Sequence, residues 1–172
     1  MQKVVLVGYM GSGKSFIGQL LSEKLQILFL DLDEIIEQNQ NCSIKSIFEN
    51  SGEVYFRKLE HQLFKETLSL NKPFVLSTGG GTVCYANNHE LLNNPDIISI
   101  YLKASIETLY NRLILEKEKR PIIADKNQEE LKDFIAKNLF ERSYFYHQSK
   151  FVINVDDKTA DKIILEIEDL LA

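Results

Sequence analysis

A β-like run, Lys3-Val4-Val5-Leu6-Val7, leads directly into Gly8-Tyr9-Met10-Gly11-Ser12-Gly13-Lys14-Ser15, which meets the spacing G-x-x-x-x-G-K-[ST] without a mismatch. A helical pattern follows, with Ile17, Leu20, Leu21 and Leu25 on one face. Strand, glycine loop and helix in that order make a cradle for a phosphate chain. The glycines let backbone N–H groups close around phosphate oxygens with no Cβ in the way. The helix adds its unpaired first-turn N–H groups and the positive end of its dipole. Lys14 is then placed to reach the β- and γ-phosphates, and the Ser15 hydroxyl to ligate the Mg²⁺ that bridges them. A chance glycine-rich turn is the alternative, and the flanking strand and helix argue against it. The dinucleotide pattern G-x-G-x-x-G fails, because Phe16 stands where its last glycine belongs. ATP or GTP is expected rather than NAD.

At 172 residues and 44% apolar content the chain is expected to form a single domain, 1–172, with one substantial core. A net charge of −5 argues against a nucleic-acid partner or an anionic membrane, so any bound anion must be held by a few local cations. Cys42 and Cys84 are too few for a disulfide framework and read as reduced thiols. The start, Met1-Gln2-Lys3, shows no secretory apolar region, and no apolar run approaches membrane-spanning length, so a cytoplasmic protein is expected. A monomer is the expectation for this size.

Continuous apolar runs recur at 3–7, 27–30, 74–77, 97–102 and 151–155, and they read as strands covered on both faces. Between them lie helical faces formed by Phe56, Leu59 and Leu63, by Ile106, Leu109, Tyr110 and Leu113, and by Ile163, Ile164, Ile167, Leu170 and Leu171. Alternation of this kind predicts a three-layer α/β/α fold around a five-stranded parallel sheet. Ligands of such sheets gather at the carboxyl ends of the strands. The loops after Val7, Leu30, Ser77, Leu102 and Val155 are therefore the ones that meet.

The second strand ends in Asp31-Leu32-Asp33, whereas those at 74–77 and 97–102 end in no acid. A carboxylate behind Mg²⁺ must come from this loop, and Asp31, at the end of the apolar run, is placed for it. Asp33, one step further toward solvent, is placed to accept a hydrogen bond from an acceptor hydroxyl and to orient or deprotonate it. The structural alternative makes Asp33 the N-cap of a helix beginning Glu34-Ile35-Ile36-Glu37. Gly52-Glu53 opens a helix on which Arg57 and Glu60 share a face, which taken alone is a surface ion pair of little worth. Gly79-Gly80-Gly81 directly follows a strand and implies close backbone approach to a ligand.

From Glu116 to Glu130 nine of fifteen residues are charged. This reads as a solvated segment, either a plain surface loop or a lid that excludes water and brings Arg120, restricted by Pro121, onto the γ-phosphate. Arg142 lies on a helix that starts near Glu129 and closes at Tyr146. Taken alone it reads as a surface residue.

These residues stand in a familiar order. The chain resembles the shikimate kinases, small P-loop kinases of the nucleoside monophosphate kinase type, through the glycine loop 8–15, Asp31-Leu32-Asp33, Ile47-Phe48, Gly52-Glu53, Phe56-Arg57, Glu60, Gly79-Gly80-Gly81, Arg120-Pro121 and Arg142 with Tyr146. The resemblance implies Mg²⁺-dependent phosphoryl transfer from ATP to the 3-hydroxyl of shikimate, on the route to chorismate and the aromatic amino acids. It implies a substrate-binding region over 33–60 and a lid over 115–130.

Carried over, Gly11, Ser12, Gly13, Lys14, Ser15 and Phe16 hold the nucleotide phosphates, Ser15 and Asp31 serve the metal, and Asp33 meets the ring hydroxyls. Arg57 and Arg142 clamp the shikimate carboxylate, a planar guanidinium matching a planar anion. Gly80, within the triplet Gly79 to Gly81, offers backbone to the substrate, Phe48 and Phe56 wall the pocket, and Arg120 meets ATP from the lid. Catalysis falls to Lys14, Asp33 and Arg120. The stretch 154–158 lies near the adenine in that family. Two departures stand out: the family's x-P-L-Y-x-E after the arginine is Ser143-Tyr144-Phe145-Tyr146-His147-Gln148 here, and Phe16 replaces a common threonine. A gluconate or nucleoside monophosphate kinase would share the cradle and lid but not the acceptor residues, and a monophosphate acceptor calls for more arginines. A non-catalytic nucleotide-dependent module would need no acceptor pocket.

Overall fold

In a computed structural model that describes residues 2–120 and 122–172, strands β1 (Lys3–Val7), β2 (Leu28–Asp31), β3 (Phe74–Ser77), β4 (Ile97–Lys103) and β5 (Phe151–Asn154) form one parallel sheet. Their order is β2-β3-β1-β4-β5, which puts β1 and its glycine loop at the centre. Every side chain of Val4 to Val7 and of Phe74 to Leu76 is at 0% exposure. Successive side chains of a strand point to opposite faces, so burial of consecutive residues means that helices cover both. The expectation of full cover fails at the two edges, where Leu28 and Val152 are exposed. An edge strand has a neighbour on one side only.

Among the described residues seven helices accompany the sheet: α1 (Lys14–Leu25), α2 (Leu32–Gln40), α3 (Ile44–Leu68), α4 (Asn88–Leu91), α5 (Ile106–Leu115), α6 (Gln128–Tyr146) and α7 (Ala160–Leu171). Ser43, Ser105, Asn127 and Thr159 fix four of the starts, each side-chain oxygen accepting from the backbone N–H three residues on. The predicted faces are met by Leu109, Tyr110 and Leu113 and by Ile163, Ile164 and Ile167, whereas Ile106 and Leu170, near helix ends, are exposed. Within α3, Gly52 takes φ 82 and ψ 171, a left-handed conformation that divides the helix into two arms. The second arm starts at Glu53, as its sequence predicts.

The segment from Glu116 to Asn127 contains a 3₁₀ turn at Lys117–Lys119 and then buries Ile123 completely. It is therefore pinned to the core by one apolar side chain, contrary to the reading of it as wholly solvated. The restriction attributed to Pro121 lies outside the described residues. Both cysteines are free, and no helix among the described residues is long and apolar enough to cross a membrane.

Candidate active site

The strand β1 delivers the glycine loop to the middle of the sheet's carboxyl edge. Gly13 is the N-cap of α1 with φ 97 and no side-chain capping bond, which leaves the first-turn N–H groups turned toward an anion. Lys14 is buried and donates its Nζ to the carbonyls of Gly8 at 2.8 Å and Tyr9 at 3.0 Å. Burial pulls its pKa down to about 8, against the pull of the Asp33 and Asp31 carboxylates.

The Ser15 hydroxyl donates to Asp31 Oδ2 at 2.6 Å and lies 3.0 Å from the Ser77 hydroxyl. Asp31 Oδ1 meanwhile accepts from the backbone N–H of Asp33 at 3.0 Å and of Glu34 at 3.4 Å. The N-cap of α2 is thus Asp31 and not Asp33. The strand runs on through Asp31, and the fully buried Leu32 turns the first helical residue into the core.

Asp33 falls in the first turn and is half-buried, as Asp31 is. Burial, then the neighbouring Asp31 and Glu60 carboxylates, push its pKa up to about 6 against the opposing charge of Lys14. Among the described residues no group of three or more His, Cys, Asp or Glu stands together. Two hydroxyls and one carboxylate, all oxygen donors, are the set that suits a hard cation taking its remaining ligands from phosphate and water, which is the habit of Mg²⁺.

A cleft of about 570 Å³ brings together Gly11, Ser12, Gly13, Lys14, Ser15, Phe16, Asp31, Asp33, Gly79, Gly80 and Arg120. Gly81, Arg57, Arg142, Phe48 and Phe56 do not line it; Arg142 and Arg57 lie against the glycine triplet, at Gly80 and Gly81. A Cβ on Gly79 would lie 3.0 Å from Asp33 Oδ1, on Gly80 3.3 Å from the Met10 N–H nitrogen and 3.6 Å from Arg142 Nη1, and on Gly81 2.9 Å from Arg57 Nη2. Side chains at these positions would fill the space between the phosphate loop, the carboxylate and both arginines.

Arg57 donates Nη1 to Glu60 at 2.8 Å, and Glu60, 1% exposed, also accepts the Thr82 hydroxyl at 2.9 Å. The carboxylate is buried and the guanidinium half-buried, so the pair is not the surface bridge its spacing alone predicts. Phe48 and Phe56 stack with centroids 4.5 Å apart, Phe56 buried and Phe48 at the rim. The Arg142 guanidinium lies 5.7 Å from the centre of the Tyr9 ring, and Tyr146, one turn further along α6, donates its hydroxyl to the Gly80 carbonyl at 2.5 Å. That bond ties the helix bearing Arg142 to the triplet. Arg120 lines the cleft with Nε and Nη2 both on Glu116 Oε2, at 3.0 and 2.8 Å.

Four participants carried no readable pattern in the sequence. Ser77 meets Ser15, Tyr85 lies under the Arg57 guanidinium at 3.8 Å, and Arg112 donates to the Gly11 carbonyl at 3.0 Å while lining the cleft. Each acts across a long sequence separation, so no local spacing betrays it. Lys158, with Ala160 and Ile163, lines the cleft too, and it falls within the stretch that the resemblance puts near the adenine.

The geometry has counterparts among known proteins. A family model described as shikimate kinase matches residues 10–172. The shikimate kinase of Flavobacterium johnsoniae is 56% identical over 172 residues, the full length of both chains. Among solved structures, shikimate kinase from Bacteroides thetaiotaomicron superposes with a TM-score of 0.92 at 33% identity, covering 99% of this chain and 98% of that one. Shikimate kinase from Acinetobacter baumannii in complex with shikimate gives a TM-score of 0.86 at 32% identity, covering 99% and 93%. Full-length identity above half, the family match and two superpositions end to end together show that this chain belongs to the shikimate kinase family.

Proposed function

We infer that the protein transfers the γ-phosphoryl group of ATP to the 3-hydroxyl of shikimate, giving shikimate 3-phosphate and ADP. The observation that carries this reading is the glycine triplet after β3, where the lack of Cβ atoms lets the phosphate loop, Asp33, Arg57 and Arg142 close in around one strand end. A polyol carrying one carboxylate matches that set of groups. The hydroxyls face Asp33 and the carboxylate faces the two arginines.

In this reading Gly11 to Phe16 enclose the triphosphate, and Lys14 gives up the Gly8 and Tyr9 carbonyls for phosphate oxygens. Ser15 and Asp31 hold Mg²⁺, which when bound supplies charge neutralisation at the phosphates. Asp33, ionised at neutral pH, orients the acceptor hydroxyl and takes up its proton as the oxygen bonds to the γ-phosphorus and the bond to the β-phosphate oxygen breaks. Arg120 leaves Glu116 for the transferring group when the 115–130 lid closes. Phe48 and Phe56 wall the acceptor side within 33–60. Arg112, Lys158, Ala160 and Ile163 bound the nucleoside end of the same cleft.

All of these residues come from one chain folded as one domain, so a monomer suffices. An exposed Cys42 thiol together with use of ATP suits the reducing cytoplasm.

The test is ADP release from Mg-ATP measured in parallel with shikimate, gluconate and nucleoside monophosphates. Turnover with shikimate alone is the expected result. No shikimate-dependent release would sink the reading.

A further inference from the structure

Resting on the shikimate reading, the surroundings of Arg57 say how its guanidinium receives the acceptor. Nη1 is committed to Glu60, itself buried and held by Thr82. Nε is buried and has no hydrogen-bond partner among the described residues, since Glu53 Oε1 at 3.7 Å is too far to accept. A buried donor without a hydrogen-bond acceptor costs stability, a cost that the Glu53 ion pair at 3.7 Å offsets only in part and that an arriving carboxylate would relieve. The open fork of Arg57 is therefore its Nε–Nη2 edge.

What keeps that edge in one plane is Tyr85. Its ring centre lies 3.8 Å from Arg57 Cζ, against 5.1 Å for the neighbouring Phe56 ring. Gly81 closes in as well, since a Cβ there would be 2.9 Å from Nη2 and 3.0 Å from Nη1. Glu60 fixes the guanidinium in its plane and the Tyr85 ring fixes the tilt of that plane. A flat cation stacked on an aromatic face cannot swing without losing the contact.

We propose that Tyr85 is a positioning residue for the acceptor's carboxylate, holding Arg57 so that its Nε–Nη2 edge meets the anion in a two-bond fork. The ring face performs this task. The phenol hydroxyl has no part in it.

The experiment compares Tyr85→Phe, Tyr85→Leu and Tyr85→Ala by the KM for shikimate, the KM for ATP and kcat. Tyr85→Phe stays within about twofold of the unmodified protein in all three. Tyr85→Leu, which keeps apolar bulk without a π face, and Tyr85→Ala each raise the shikimate KM about tenfold, the size of a lost desolvated cation–π contact, with the ATP KM moving less than about twofold. In an Arg57→Lys background, where no planar face exists to be held, Tyr85→Ala adds nothing further.

An unchanged shikimate KM in Tyr85→Leu would overturn the proposal, as would an equal rise in both KM values or an undiminished effect beside Arg57→Lys. Should the unmodified protein fail to phosphorylate shikimate at all, the functional reading falls first and this proposal with it.

Discussion

Asp31 divides its carboxylate between two tasks: one oxygen receives the Ser15 hydroxyl at 2.6 Å, and the other caps α2 through the backbone of Asp33 and Glu34. The two tasks separate by substitution. Asp31→Asn keeps an oxygen for the cap but loses the charge, so the Mg²⁺ concentration for half-maximal rate rises about 10- to 100-fold while the melting temperature holds. Asp31→Ala loses the cap as well and unfolds with a deficit of about 1 kcal/mol. Magnesium titrations and thermal melts of both variants check the division.

Asp33 has a pKa near 6, raised from 3.8 chiefly by burial. Turnover under shikimate-limited conditions therefore falls about tenfold per pH unit below 6, as the carboxylate loses its ability to accept a proton. Asp33→Asn removes the acceptor and lowers kcat by about 10² to 10⁴, with nucleotide affinity retained. Loss of nucleotide binding in that variant would mean that Asp33 belongs to the donor side.

The same shift has a consequence for stability, with the opposite sign to the usual carboxylate. Because the folded pKa is the higher one, the native state holds the proton more tightly than the unfolded chain, and stability drops as pH rises from about 4 to about 6. Above pH 6 the full cost of the buried charge remains. Asp33→Asn is accordingly more stable than the unmodified protein at pH 7, by on the order of 1 to 3 kcal/mol, and the gap closes below pH 4. Denaturant unfolding at pH 4 and pH 7 checks it.

Lys14, with a pKa near 8 in the free protein, gains phosphate partners when nucleotide binds and becomes fully charged. Binding of Mg-ATP at pH 8 takes up about half a proton, and at pH 6.5 almost none. Calorimetry in buffers of different ionisation enthalpy measures the uptake, and Lys14→Met abolishes it.

How much of this was readable beforehand depended on whether the signal was local. The strand–loop–helix of residues 3–25, the triplet after β3 and the helix start at Gly52 are each written within a few residues, and each stands where its spacing puts it. The choice between Asp31 and Asp33 as cap turned on a single residue of strand length, which apolar runs do not resolve. The Arg57–Glu60 pair was legible as a spacing, but the burial of Glu60 was not, because Thr82, Gly81 and Tyr85 close over the pair from 20 or more positions away. Ile122 and Ile123 stand side by side in a charged stretch with no periodicity to tell them apart, and only Ile123 is an anchor.

Gly81 has an ordinary φ of −101, so alanine there brings no backbone strain and only a Cβ pressed against the Arg57 guanidinium. The expected phenotype of Gly81→Ala is a protein that folds, binds ATP normally and shows a shikimate KM raised about tenfold or more through the displaced arginine. Equal damage to both substrates would point to a general disturbance of the β3 loop.

The strand order bears on where alignment of the reactants is stored. The triplet rides on β3 and the phosphate loop on β1, and these two strands are direct neighbours whose pairing sets Leu6 against Ser77. A slip of one residue between them would displace acceptor against donor by about 3.3 Å, which is the whole length of a reactive approach. What forbids the slip is the oily interior on either side of Val5 and Leu76, both at 0% exposure. In the proposed reaction the in-line geometry is thus kept by fully buried side chains, and loosening the core beneath β3 should blunt catalysis before it unfolds the protein.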